Sequence, residues 1–524
     1  MKNWDVILIG SGHNALITAA YLTRAGRSVL ILEANDRPGG LVRTEELTLP
    51  HFKHDVYSAA HPLFVTSQAY ADLSGELSER GLRYINTDTP TGVSFSDGRT
   101  AIFSRSFEAN IAEADRLAPG DGVALASTIE AFSPYVGDVF SLFTKDLSSP
   151  EAREIIGRLL QDKSGSGYSY FAKTLLDTAR TIVGRFQSPV LQAMLAPWVM
   201  HLGRTPDEVG SGIWVILIIL ALMGGGMAIP EGGSEQLAIA LSRLITDKGG
   251  RILTSTVVDR ILVKGGNAIG VRTAAGEEYY ATKAVVASVN PDQLYLKLLK
   301  DTTVPSNILQ QAKELRYGRG CVQIQLALSA PPKWPDARFT NIGQPHLTSG
   351  LNSCTLAIAQ AMAGLLPKEP TFTVDCASNL DPGRAPEGKA VMRIQFLEIP
   401  CLPKGDAAAE IEVGDGRWTE ELTKRFTDRA IALLSKHIPG IESTILAHHV
   451  ITPDSLAAFS PNLGPGDPYG GAHDLAQSYL LRPLAGQPSH RTLIPNLYLV
   501  GAATWPGHGV NGGSGYIVAQ QLLA

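Results

Sequence analysis

The stretch DVILIGSGHNALITAAYLTRAGRSVLILEANDRPGG, from Asp5 to Gly40, decides the fold. Four apolar residues, Val6 to Ile9, run into Gly10, and Gly10-x-Gly12-x-x-Ala15 turns the chain into a helix predicted to reach Arg24 and stop near Gly26. A second apolar run, Val29 to Leu32, ends in Glu33. Each piece serves the binding of a dinucleotide. Gly10 makes the tight strand-to-helix turn, Gly12 leaves the backbone open to a pyrophosphate, and Ala15 is small enough for the helix to pack on the strand. The start of the helix, with Asn14 in its first turn, offers free N–H groups and a positive dipole end to phosphate. Glu33 follows Gly10 by 23 residues, close to the spacing of about 20 expected for the acid that holds a ribose hydroxyl. Its charge would repel the extra phosphate of NADP, which leaves NAD or FAD.

The next few residues narrow the choice. Gly39-Gly40-Leu41-Val42-Arg43-Thr44-Glu45 comes shortly after the second strand. A glutamate, a short loop and then G-G-x-x-x-T resembles the FAD signature of the amine oxidase and phytoene desaturase superfamily. That resemblance implies non-covalent FAD, with Arg43 near the pyrophosphate as a fixed cation.

Two further blocks fit the same reading. Ile229-Pro230-Glu231-Gly232-Gly233 leads into an amphipathic helix predicted over Ser234 to Lys248 and ended by Gly249-Gly250. Strands are predicted at 251–253, 257–263, 268–273 and 284–287. In the superfamily a strand bearing V-x-x-I lies beside the adenosine, and Val258 and Ile261 match it. At the end, Pro495 to Thr504 is a buried strand reaching Gly501 and Ala502, followed by WPGHGVNGGSGYIVAQQLL, with a last helix from about Gly513. Gly512 and Gly513 would aim that helix N-terminus at the flavin.

Cofactor blocks at the start, middle and end imply an α/β fold: a Rossmann-type FAD-binding domain of the glutathione reductase/amine oxidase kind, interleaved with an α+β substrate domain. The expected division is 1–70, 228–292 and 490–524 for the FAD domain and 71–227 and 293–489 for the substrate domain. In the latter, helices are predicted over Leu125 to Leu147 with a break at Pro134, Ser169 to Phe186 and Thr419 to His437, and a strand over Cys321 to Leu328.

With 524 residues the chain can bury a large core in more than one lobe. A net charge of -5 gives no basic footprint for nucleic acid. Charged residues make up 18% and hydrophobic ones 44%, which leans toward an apolar cavity or a membrane-facing surface. The first strand starts by Asp5, so a cytoplasmic location is expected, with peripheral membrane contact open. The apolar run Ile213 to Met223 is too short to span a bilayer and reads as a buried element lining a cavity. Cys321, Cys354, Cys376 and Cys401 form no C-x-x-C pair, so no redox dithiol is expected; no metal-ligand spacing occurs either.

Over most of its length the sequence resembles the phytoene desaturase-like flavoproteins. G-x-G-H-N-A, GG-x-x-x-T-E-E and P-E-G-G-S resemble in particular the branch with desaturase-like beta-carotene ketolases and the pyridine nucleotide-disulfide oxidoreductase domain-containing protein two. Amine oxidases carry a glutamate where this chain has Ala502. Asn511 stands where the family often has proline or an apolar residue, and His51 replaces a common glycine in the P-G-F turn.

The resemblance implies an FAD-dependent oxidoreductase acting on an apolar, isoprenoid- or polyene-like small molecule by desaturation, oxidation or isomerisation. Such chemistry needs a C–H bond held about 3–3.5 Å from the accepting flavin nitrogen. Candidates for acid–base help are His54, Asp55, Tyr57, His508 and, foremost, His61 in the segment FKHDVYSAAHP. Two other readings stay open: an amine or alcohol oxidase, and a flavin-containing carrier or assembly protein without turnover.

Overall fold

The computed structural model describes residues 3–161 and 169–524. In it the Asp5–Gly40 stretch forms strand β1 (Asn3–Ile9), helix α1 (His13–Arg24) and strand β2 (Val29–Leu32). β1 and β2 are parallel, with Val6 opposite Val29 and Ile9 opposite Leu32. All of β2 and the last four residues of β1 are buried, as parallel strands covered on both faces must be. The sheet is completed by β3 (Arg251–Leu253), β4 (Val258–Lys264), β5 (Asn267–Thr273), β6 (Glu278–Ala287) and β7 (Leu497–Leu499). The strand order is β4-β5-β6-β1-β2-β3, and β7 pairs with the free part of β6. β6 is longer than its apolar run 284–287, because β1 hydrogen-bonds it from Tyr280 to Ala287.

Helices cover this sheet. The α2 helix (Gly212–Gly225) belongs to the other lobe, whereas α3 (Gln236–Asp247) and α4 (Gly513–Leu523) join α1 on one face. Leu16, Leu241, Leu244 and Val518 meet Leu8, Ile31 and Val286 there. The opposite face packs Leu294, Tyr295 and Ile308 against Ile7, Leu30 and Val285. A Cβ on Gly515 would lie 2.3 Å from the carbonyl oxygen of Asn14, so α4 can press against α1 only with glycine at that position.

A second, mixed sheet of seven strands runs in the order 445–451, 320–328, 390–399, 372–375, 346–348, 91–95 and 100–103. One of its faces is apolar and buried under the helix Glu420–Ser435, with Val322, Ile324, Ile394 and Phe396 against Leu422 and Phe426. A helical layer from residues 107 to 222 forms a separate apolar core around α2. The helix predicted over Leu125 to Leu147 spans 121–132 and 136–142, broken by a tight turn at Ser133–Tyr135 that contains Pro134. The one predicted over Ser169 to Phe186 is two helices, Tyr170–Leu176 and Ala179–Val183, because the Thr178 hydroxyl caps the second by accepting from Thr181 N–H. His51 sits at φ +69°, where glycine is favoured. All four cysteines are free, and among the described residues no helix is long and apolar enough to cross a membrane.

Segments next to the two sheets meet around Arg384, in the turn before the strand 390–399. This residue is fully buried, and its guanidinium contacts Asp55 at 2.5 Å and Asp381 at 3.1 Å. Asp55 also accepts from Ser234 N–H at 2.7 Å and from Thr44 at 2.8 Å, and Asp381 accepts from Gly232 N–H at 2.7 Å. The P-E-G-G-S turn and the strand after the glycine pair are thus pinned to the second sheet through one cation.

Candidate active site

At the carboxyl ends of β1 and β2, where α/β sheets of this kind bind ligands, lies a cavity of about 800 Å³. Gly10, Gly12, Asn14, Glu33, Gly40 and Val258 line one end; Gly501 and Ala502 line its middle; Tyr57, Gln323 and Arg393 line the other. Gly10 makes its turn at φ +84°. The first-turn N–H groups of α1 have no intrahelical acceptor; Leu16 N–H is the first to bond back, to Gly12 at 3.0 Å. Glu33 is held by Ser11 N–H at 2.7 Å, the Ser11 hydroxyl at 2.5 Å and Asn35 N–H at 2.8 Å. Free N–H groups at a helix start beside an anchored carboxylate suit a pyrophosphate and a ribose. The residues present therefore fit FAD.

The other expected cofactor contacts lie further back. Ala15 is buried between helix and sheet. Gly39 does not line the cavity; at φ +125° it leaves room for the carbonyl of Val42, which a Cβ would meet at 2.7 Å. Arg43 also misses the wall: it pairs with Asp36 at 2.8 Å and Glu45 at 2.6 Å and lies over Phe459. Gly512 lines neither this cavity nor a second, more apolar one whose wall includes Gly513. Gly513 N–H donates to Asn511 Oδ1 at 2.8 Å, while Asn511 Nδ2 donates to the carbonyls of residues 507, 508 and 509. Asn511 thus holds the terminal glycine loop in shape.

His61, the foremost acid–base candidate, lines neither cavity. It is fully buried, with its ring nitrogens 2.9 Å from the Tyr84 hydroxyl and 3.0 Å from the Ser234 hydroxyl. Burial pushes it down to about 3. A neutral imidazole fixed between two hydroxyls is a strut, so the geometry gives it no contact with a reacting group. His54, bonded to Thr48 at 2.7 Å, and Asp55, paired with Arg384, are likewise structural. Tyr57 and His508 do reach the cavity.

The second cavity, of about 530 Å³, adjoins the first, and Ser58, Ala60, His201, Gln344 and His508 line both. Its far wall is apolar: Trp214, Leu217, Ile218 and Ala221 of α2, with Phe140 and Phe143. The buried run read from the sequence is thus a cavity wall.

Histidines gather at the junction. His508 Nε2–H donates to the His201 carbonyl at 2.5 Å, which leaves Nδ1 to accept from His473 Nε2 at 3.2 Å. His201 faces His346 at 3.2 Å and stacks on Trp198. Burial lowers His508 to about 4 and carries His201 well below its ordinary value, with His346 adding to the latter. Both are neutral at physiological pH and can orient a bound group without placing a cation beside it.

The sequence reading missed His201, Gln323, Gln344, Arg393 and Gln395, all on the cavity wall. The one signal was the alternation Q-x-Q in the strand 320–328.

The family model for flavin-containing amine oxidoreductases matches residues 16–523, and the chain belongs to that family. It is an FAD-dependent oxidoreductase. It is 26% identical to the mouse (Mus musculus) pyridine nucleotide-disulfide oxidoreductase domain-containing protein 2, over 98% of this chain and 92% of that protein. It is 25% identical to the zeta-carotene-forming phytoene desaturase of Myxococcus xanthus, over 96% of this chain and 90% of the desaturase. Among solved structures, cyclohexylamine oxidase from Brevibacterium oxydans superimposes with a TM-score of 0.61 over 99% of both chains at 18% identity, a likeness of fold.

Proposed function

We propose that the protein removes hydrogen from a C–H bond of an apolar, isoprenoid- or polyene-like molecule, by desaturation or a related oxidation. The observation that carries this reading is the second cavity. An apolar pocket of about 530 Å³, walled by an uncharged helix, adjoins the dinucleotide cleft, and His201 and His508 line both. Similarity to a phytoene desaturase along nearly the whole chain supports the same chemistry. FAD, when bound, supplies the two-electron acceptor. The chain's own part is to orient the substrate and exclude water. Leu217, Ile218 and Ala221 hold a hydrocarbon body, and neutral His201 and His508 shape the neck through which the reacting carbon reaches the cleft.

Amine oxidation is the reading the wall disfavours. Among the described residues the only carboxylates on it, Glu33 and Asp259, lie at the dinucleotide end, and the charged groups at the substrate end are Arg393 and Arg204. An ammonium ion would meet no counter-charge there.

Anaerobic titration of the purified protein, read at the oxidised-flavin absorbance band, tests this. Bleaching by polyene or terpenoid compounds in the absence of NAD(P)H is expected. Bleaching by amines alone would replace this reading with amine oxidation. No bleaching by any organic compound, with the flavin still reducible by dithionite, would leave an isomerase or a non-catalytic carrier.

A further inference from the structure

The cavity has one wall that a pure hydrocarbon does not need. The face of the second sheet that looks into it is polar. Across four paired strands His346, Thr373, Gln395 and Gln323 stand directly opposite one another in one row, with Asp375, Arg393 and Gln325 in the next. The reverse face of the same strands is apolar. Alternation of this kind ordinarily points the polar side at solvent, yet Gln323 and Gln325 are only 5% and 1% exposed.

The hydrogen bonds show what this wall lacks. Gln323 Nε2 donates to the Tyr57 carbonyl at 3.0 Å, which fixes the amide's orientation. Its Oε1 is buried and has no hydrogen-bond partner among the described residues. Among the described residues, Gln395 Nε2 has only a long contact with Cys321 Sγ at 3.9 Å. Arg393 is already engaged, by Asp375 at 2.8 Å and 2.6 Å and by the Tyr57 carbonyl at 2.8 Å. A buried amide oxygen without a partner is costly, and the unmet need is for a donor. A carboxylate has none to give, and an ammonium would lie beside Arg393. A hydroxyl can donate to Gln323 Oε1 and accept from Gln395 Nε2 at once.

We propose that the substrate is an apolar molecule bearing a hydroxyl group, with the hydroxyl held by Gln323 and Gln395 and the hydrocarbon body directed toward α2. This rests on the apolar-substrate reading and adds a polar end to it.

The test is equilibrium binding to the oxidised FAD protein, read as perturbation of the flavin spectrum under conditions without turnover. The probes are geraniol and 2,6-dimethyl-2,6-octadiene, the same skeleton without the hydroxyl, with geranylamine as a third arm. Geraniol is expected to bind at least about tenfold more tightly than the hydrocarbon. Gln323→Met should remove that advantage while leaving the hydrocarbon's Kd and the FAD content unchanged. The Tyr57 carbonyl keeps Arg393 as a donor in this variant, so the fold has no new buried orphan there. Equal affinity for the two probes in the unaltered protein, preference for the hydrocarbon or the amine, or no binding of geraniol at all overturns the proposal. So does a Gln323→Met protein that alters the flavin spectrum but keeps the tenfold gap, since Gln323 would then serve the cofactor. Absence of flavin bleaching by any apolar compound would count against the proposed reaction and not against this binding preference, which is read with no electrons transferred.

Discussion

Lowering the pH from 7 to 5.5 should cost the folded protein several kcal/mol of stability. His54, His61, His346, His437 and His473 are all buried. Burial holds His54 and His437 at about 4, His61 and His346 at about 3, and His473 well below its ordinary value. Unfolded, each takes a proton near 6.5. Between those values the unfolded chain binds more protons than the folded one, so stability is present above 6.5 and drains away as the pH falls. From pH 7 to 5.5 each residue held near 3 or 4 costs about 1.2 kcal/mol, and His201 and His508 at the cavity junction, lowered in the same sense, add to the loss. Glu398 works in the opposite sense. Burial raises it to about 8. Folded, it keeps a proton that the unfolded chain releases, and acidification over the same interval returns about 2 kcal/mol. Urea midpoints of the FAD-bound protein at the two pH values measure the balance. Glu398→Gln removes the opposing contribution and should widen the loss by about 2 kcal/mol. A midpoint that stays put between pH 7 and 5.5, or a Glu398→Gln protein with the same pH dependence as its parent, would refute the reasoning.

Arg384→Met leaves Asp55 and Asp381 buried without their cation and should destabilise by about 3–5 kcal/mol; Asp55→Asn combined with it should cost clearly less than the two separate losses together, and strictly additive losses would show that the pair does not act as one unit. Ile218→Trp fills part of the second cavity, and the protein should lose at least about tenfold in affinity for hydrocarbon ligands with unchanged FAD content; unchanged affinity would place the ligand elsewhere. Glu33→Gln should weaken FAD binding about tenfold by replacing a charge-assisted contact with a neutral one, measured by fluorescence of released flavin.

The dinucleotide half of the site was legible because it is local. Gly10, Gly12, Ala15 and Glu33 act within one strand–helix–strand unit, and their spacing alone brings them together. The terminal block was legible for the same reason, since a glycine loop before a helix announces itself. The substrate half was not. C-V-Q-I-Q-L reads as a strand with one face in water, and only the pairing of 320–328 with 390–399 and 445–451, together with the cleft beneath, turns that face into a wall. His201 comes from a helical stretch with no motif around it. His61 misled because FKHDVYSAAHP holds several ionisable residues in a row, and which of them faces the cleft depends on the backbone path through the ribbon Thr44–Glu45 and His54–Asp55. Arg43 misled because Asp36 and Glu45, its neighbours in sequence, are also its partners in space.

The clasp between α1 and α4 bears on how the protein is made. Thr18 donates to the Gly515 carbonyl at 2.9 Å, and Gly515 N–H donates to Asn14 at 3.1 Å, across 497 and 501 residues of chain. At an elongation rate of about 5–20 residues per second, α1 waits roughly 25–100 s on the ribosome before α4 emerges. For most of that time the cleft also lacks the terminal loop, whose residues 500–503 and 508–510 line it. The complete cleft thus forms only after residues 500–510 and α4 have been made.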